Sequence, residues 1–138
     1  MRGGAVLIKN FVYEDFQNTV SEVLICNRSV LDVLSQIQEA NARLNRIVIR
    51  TVTGCGCLKI QAGKKEIPSD ITLADLKKFL DSHLLGEMCD DCREAVENAI
   101  GRLLFYLAAL CNLLDLNLHD ILLKEQKQLK ILGIFNLA

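Results

Sequence analysis

The chain lacks tryptophan, has one proline and contains few aromatic residues. Phe and Tyr together make up 5% of its 138 residues, and Pro68 is the single proline. Because proline breaks helix interiors, a chain with so little of it is free to form long helices. The composition therefore indicates a predominantly helical protein of one-domain size, and its 51% hydrophobic content is sufficient for a core.

The sequence also lacks an excess of charge of either sign. It has 16 Lys and Arg against 17 Asp and Glu, a formal net charge of −1. Proteins that bind nucleic acids usually carry a basic patch or stripe that neutralises phosphates. The balanced charge argues against nucleic acid as a partner.

Long hydrophobic runs are missing as well. The start, "MRGGAVLIKNFVYEDF", has a short apolar run before Lys9, and the apolar stretch "LLFYLAALCNLLDLNL" is interrupted by Asn112 and Asp115. A membrane span needs roughly 18 or more apolar residues, and a secretory signal needs a longer apolar region than this start offers. We expect a cytoplasmic protein without a membrane partner. In that compartment paired cysteines hold metal more often than they form disulfides.

Apolar residues at helical spacing predict an all-α fold, a helical bundle of four to five helices forming one domain over residues 1–138. The predicted helices cover residues 13–26, a long helix opened by Ser29-x-x-Asp32 and ended near Thr53-Gly54, a short helix opened by Thr72-x-x-Asp75, residues 91–115, and a last helix from Asn117 to Gly133. The apolar tail "ILGIFNLA" either folds back over the bundle or packs on a second subunit.

Residues from about 54 to 92 form a cysteine-bearing loop insertion in this bundle. Two glycines in "TGCGC" end the second helix, and "LKIQAGKKEIP" is compatible with either a short extended piece or a loop.

Four cysteines flank this insertion as two tight pairs, Cys55/Cys57 and Cys89/Cys92. Cys-x-Cys across a glycine and Cys-x-x-Cys at a helix start both allow two sulfurs to reach one ion. If the insertion brings the pairs together, four thiolates close a tetrahedral shell around Zn²⁺ without an open position. The pattern therefore predicts a metal-binding, structural zinc site.

Other interpretations of the cysteines stay open. The same thiols could hold an iron–sulfur cluster, act as a redox dithiol at a helix N-terminus, or be unrelated small hydrophobic residues. His83 could replace one ligand, although an ordinary surface histidine is the simpler interpretation. Cys26 and Cys111 are interpreted as packing residues.

The stretch "AIGRLLFYLAALCNLLDLNLHDILLKEQKQL" resembles the C-terminal half of the MazG-like family of all-α nucleoside triphosphate pyrophosphohydrolases. It shares the apolar run at Leu104–Leu107, the residue Asn112, and a last helix carrying Lys124 and Lys127. "SQIQEANARLNRIV" similarly resembles the family's Glu-rich helix. The resemblance covers residues 30–53 and 94–131 and omits the cysteine-bearing insertion.

This resemblance implies a helical bundle, homo-oligomers (dimers or tetramers), and carboxylates that hold Mg²⁺ on a nucleotide substrate. The departures fall on that chemistry. Where the family has Glu-x-x-Asp, this chain has Ala99 and Arg102, and in the second helix Glu39 alone keeps a carboxylate. We therefore expect a non-catalytic relative. If activity survives, Glu39 is the candidate catalytic residue and Mg²⁺ is the cofactor.

Three functions are compatible with these sequence features. The first is a zinc-containing helical module that acts by oligomeric interaction or by binding a nucleotide or another anion, with Arg43, Arg46 and Arg102 as candidate anion ligands. The second is an active Mg²⁺-dependent nucleoside triphosphate pyrophosphohydrolase. The third is a metal- or redox-responsive regulator in which the cysteines are the sensor.

Overall fold

The computed structural model describes the backbone of residues 2–24 and 29–133, with side chains from residue 12 onward. It confirms the all-α class. Four α-helices and one two-stranded sheet are formed by this part of the chain. The elements are α1 (Arg2–Val23), α2 (Val30–Arg50), β1 (Leu58–Ile60), β2 (Leu84–Gly86), α3 (Asp90–Leu113) and α4 (Leu118–Leu132), with a π-helical turn at Thr51–Cys55 and a 3₁₀ turn at Leu76–Lys78.

The chain divides into two compact units. The helical unit consists of the residues up to Asn41 together with those from Gly101 onward, and the cysteine unit is Ala42–Ile100. The helices α2 and α3 each contribute residues to both units.

The core of the helical unit is built from small side chains. Val20 of α1, Val33 of α2, and Ala108 and Ala109 of α3 are buried together. Larger side chains cover this group and are themselves partly buried: Phe16, Leu24, Ile37, Phe105, Leu110 and Leu118. Of the apolar stripe that helical spacing predicts for the first helix, Phe16, Val20 and Leu24 pack here, whereas Val12 and Val23 are exposed. In α3 the buried residues include alanines that a search for large apolar residues passes over.

Three predicted cap residues lie at helix ends. The Asn117 side chain accepts a hydrogen bond from the Asp120 backbone N–H at 3.1 Å, and Gly133 ends α4. Ser29 accepts from the Leu31 backbone N–H at 3.2 Å at the start of α2. The first helix begins 11 residues before the predicted residue 13, at Arg2. The prediction relied on an apolar stripe, and the helix extends on its N-terminal side beyond the residues of that stripe.

The prediction of a short α-helix after Thr72 is wrong. The Thr72 hydroxyl donates to the Asp75 carboxylate at 2.9 Å instead of accepting from its backbone N–H, so the expected capping box does not form. Only the 3₁₀ turn at Leu76–Lys78 follows. Helical spacing from Leu76 and Leu80 predicts Leu84 on the apolar edge of the same helix, but Leu84 lies in β2.

Helix α3 is long and apolar enough, by length and composition, to cross a membrane, and 22% of its most apolar window is buried. The apolar stretch interrupted by Asn112 and Asp115 starts later than this helix and runs into the polar turn that follows it. A mostly buried core helix of a soluble protein passes the same test, whereas most of this window is not buried. In this chain α3 supplies Ala108 and Ala109 to the core of the helical unit.

Candidate metal centre

A short antiparallel ribbon brings the two cysteine pairs together. In the ribbon Leu58 pairs with Gly86, and Ile60 with Leu84. Cys57 immediately precedes β1, and Cys89 follows β2 by three residues. The ribbon therefore closes the excursion of residues 61–83 and places both pairs at the same end.

The first pair lies on a tight turn at the end of α2. The Gly56 backbone N–H donates to the Thr51 carbonyl at 2.9 Å, which closes a π-type turn, and Gly56 itself is left-handed at φ 79°. Thr51 is buried, and its hydroxyl donates to the Val48 carbonyl at 2.6 Å. This turn fixes Cys55 and Cys57 on either side of the glycine.

The second pair lies at the start of α3. The Arg93 backbone N–H donates to the Cys89 carbonyl at 2.9 Å, so Cys89 sits immediately before the helix and Cys92 in its first turn. A helix turns by about 100° per residue, so residues three apart lie about 300° apart, close to one full turn. The Cys-x-x-Cys spacing therefore places both sulfurs on the same side of the helix start.

Gly86 of β2 lies directly against the backbone of Cys57. It adopts φ 85°, and a Cβ atom there would lie 2.5 Å from the Cys57 carbonyl oxygen. A side chain at this position would push β2 away from Cys57. Glycine is therefore required by both the backbone conformation and the close approach.

The four sulfur atoms form one compact group. The Sγ atoms of Cys55, Cys57, Cys89 and Cys92 all lie within 4.8 Å of one another, and Cys55 Sγ is 3.8 Å from Cys89 Sγ. Four sulfurs bound at about 2.3 Å around one tetrahedral ion would be about 3.8 Å apart. The arrangement can thus hold a metal ion after small side-chain adjustments.

The thiols of the sulfur group have unequal pKa values. The Cys89 backbone N–H donates to the Cys57 sulfur and lowers the pKa of this thiol to about 7. The pKa of Cys92 is raised, first by its hydrogen bond with the Cys89 thiol. Neighbouring thiolates repel one another, and a divalent cation bound between them would relieve this repulsion.

The other candidates from the sequence lie apart from this group. Cys111 is 7% exposed on α3 and burial raises the pKa of its thiol, in keeping with the packing role expected of it. Cys26 lies outside the described residues. His83 lines a polar cavity of about 470 Å³ with Lys64, Lys65 and Asp81. Among the residues that the structure describes, it is not part of the four-cysteine group.

The candidate anion and catalytic residues are exposed side chains of the helices. Arg43 and Arg46 lie one turn apart on the part of α2 that belongs to the cysteine unit, and Arg102 belongs to the helical unit on α3. Glu39 is exposed on α2, with Arg43 one helical turn later.

Sequence reasoning missed two residues that shape the site. Thr51 and Gly86 hold the turn and the ribbon, yet neither carries metal-binding chemistry. The sequence singles out Gly86 only by its position, three residues before Cys89.

No family model, curated protein or solved structure matches this chain. Its class is therefore defined by what the structure shows, a mainly helical protein with a four-cysteine cluster able to hold a metal ion.

Proposed function

We propose that this chain is a non-catalytic, MazG-like helical module in which four cysteines hold a structural zinc ion. The observation that carries the proposal is the convergence of four sulfurs within 4.8 Å of one another from two segments 34 residues apart. Thiolates remain available for metal in a reducing compartment such as the cytoplasm, where we place the protein.

The spacing of the sulfurs favours a single ion. In an iron–sulfur cluster each iron takes its own thiolates, so the cysteine sulfurs are spread around several metal centres. The separation of 3.8 Å between Cys55 and Cys89 instead equals the edge of a tetrahedron around one zinc. Zinc suits this donor set because it prefers four-coordinate thiolate sites.

A structural role follows from the donor count. Four thiolates leave no position for water or substrate, so the ion would not act as a Lewis acid on a ligand. Its place between the end of α2 and the start of α3 would stabilise a unit whose ribbon has only three residues in each strand. Small domains commonly use metal for this purpose.

Hydrolysis of nucleotides is disfavoured by the residues near Glu39. An Mg²⁺ site for phosphates needs several oxygen ligands. Glu39 is followed one turn later by Arg43, whose charge repels a cation. Measurement of pyrophosphate release with Mg²⁺ and a panel of nucleoside triphosphates tests this point, and turnover that disappears in Glu39→Gln would contradict a non-catalytic role.

Assembly with a second copy is the action we propose for the helical unit. Ile121, Leu122, Leu129 and Leu132 lie on one stripe of α4 that also contains Glu125, and each of the four has between 36% and 50% of its surface exposed. Apolar side chains aligned in this way are typical of interfaces between protein chains. An oligomer would bury the stripe and leave the lysines of α4 in solvent.

The metal content of purified variants tests the zinc proposal. We expect about one zinc per chain in the wild type and in Cys111→Ala, which removes a cysteine remote from the cluster. Cys57→Ser and Cys92→Ser should hold at least about tenfold less zinc after dialysis against a chelator, because three ligands bind more weakly than four. Equal zinc in all four proteins, or none in any, would contradict the proposal.

A further inference from the structure

The sulfur group differs from a buried structural site in its accessibility. Cys55 is exposed, and Cys57, Cys89 and Cys92 are only partly buried. Thiolates bound to zinc remain nucleophilic, and accessible thiolates are the ones that oxidants reach. Within this group the exposed sulfur of Cys55 has a partner at 3.8 Å, that of Cys89.

We infer that the four-cysteine centre is a peroxide-responsive switch, in which oxidation joins Cys55 to Cys89 and expels the zinc ion. The inference rests on the proposed zinc site and adds its regulation. A peroxide is the oxidant class, since hydrogen peroxide accepts two electrons and both of its oxygens leave as hydroxide.

The chemistry balances in two steps. The Cys55 thiolate attacks one peroxide oxygen, the O–O bond breaks, and Cys55 sulfenic acid and hydroxide form. The Cys89 thiolate then attacks the Cys55 sulfur, the S–O bond breaks, and hydroxide leaves as the disulfide forms. The two sulfurs lose two electrons in total, hydrogen peroxide gains them, and two protons from solvent convert both hydroxides to water.

The zinc ion would leave because it loses two of four ligands. Cys57 and Cys92 remain as its only thiolates, and two ligands hold zinc far more weakly than four. The new disulfide connects the turn after α2 to the start of α3, which are the same two elements that the metal connected. The switch would therefore remove the metal ion while the turn after α2 and the start of α3 stay covalently connected.

The test uses the full chain with Cys26→Ala and Cys111→Ala, so that only the cluster thiols remain. The zinc-loaded protein is treated with a small molar excess of hydrogen peroxide. Released zinc is followed with a chromogenic chelator, and the disulfide is mapped by mass spectrometry of peptides. A matched protein carries Cys55→Ser in addition.

We expect release of the bound zinc together with the loss of two thiols per chain and a peptide pair joined through Cys55 and Cys89. Dithiothreitol followed by zinc should restore the starting state. In the Cys55→Ser protein, the peroxide-dependent part of zinc release, which is the rate with peroxide minus the rate with chelator alone, should fall at least about tenfold.

Two results would overturn the inference. One is zinc that stays bound while the thiols resist peroxide, and the other is a disulfide that maps to Cys89 and Cys92 with unchanged kinetics in Cys55→Ser. The zinc content measured before peroxide is added tests the proposed site separately. A protein that holds zinc and ignores peroxide thus refutes the switch alone, whereas a protein without zinc refutes both.

Discussion

Single residues decide whether the two cysteine pairs can share an ion. The four cysteines were predictable, since two pairs of metal-ligand spacing flank one insertion. Gly86 was not predictable, because its importance comes from the approach of the Cys57 carbonyl across the ribbon. That approach depends on the pairing of two strands, which no local pattern in the sequence specifies.

Replacement of Gly86 by alanine should therefore weaken the metal site without removing a ligand. The new Cβ atom would lie 2.5 Å from the Cys57 carbonyl oxygen, and φ 85° is strained for any residue with a side chain. We expect zinc affinity, measured by competition with a chelator, to fall at least about tenfold.

Gly101→Ala is the matched control for this change. A Cβ atom at Gly101 meets no atom within 4 Å, and the residue lies inside α3. Its zinc affinity should be unchanged, and its stability should rise by about 0.5–1 kcal/mol because alanine favours helix. Equal zinc affinities for the two variants would show that the ribbon does not position Cys57.

Two polar side chains, Gln17 and Asn112, add hydrogen bonds between α1 and the end of α3. Gln17 of α1 donates through Nε2 to the Leu116 carbonyl at 2.7 Å and accepts at Oε1 from the Leu118 backbone N–H at 2.9 Å. In return, the Asn112 side chain donates to the Gln17 carbonyl at 2.9 Å. Gln17 therefore fixes α1 against the turn between α3 and α4.

Gln17→Ala should destabilise the helical unit by about 1–3 kcal/mol, because two hydrogen bonds to backbone groups are lost. Urea unfolding followed by circular dichroism measures this change. The neighbouring exposed Asn18 supplies the control, since Asn18→Ala should change stability by less than about 0.5 kcal/mol. Similar values for the two variants would mean that Gln17 does not connect these elements.

Elements with strong periodicity were predictable, and short ones were not. Helices α2, α3 and α4 repeat apolar residues over several turns, and Asn117 and Gly133 mark the ends of α4. The ribbon has three residues in each strand, too few for an alternating pattern to be recognised. The stretch around Thr72 carries a helix signal, but its side chains bond to each other and a 3₁₀ turn forms instead.

For the whole molecule, the half-exposed stripe of α4 predicts an oligomer. Leu122→Gln places a polar group on this stripe and should raise the dissociation constant at least about tenfold, as measured by sedimentation equilibrium. Leu123→Gln is the control, because Leu123 has a similar exposure of 40% but points away from the stripe.

Two outcomes would contradict this prediction. A wild-type chain that stays monomeric at high micromolar concentration would show that no second copy covers the stripe. An equal effect of both substitutions would show that the interface, if formed, does not use this face of α4.

The most direct test of the zinc centre is X-ray absorption at the metal edge of the protein as purified. The proposed site predicts zinc as the absorbing metal, with four sulfur neighbours at about 2.3 Å and no second metal nearby. A first shell dominated by nitrogen or oxygen, or an iron edge with neighbouring iron atoms, would contradict a single zinc ion held by Cys55, Cys57, Cys89 and Cys92.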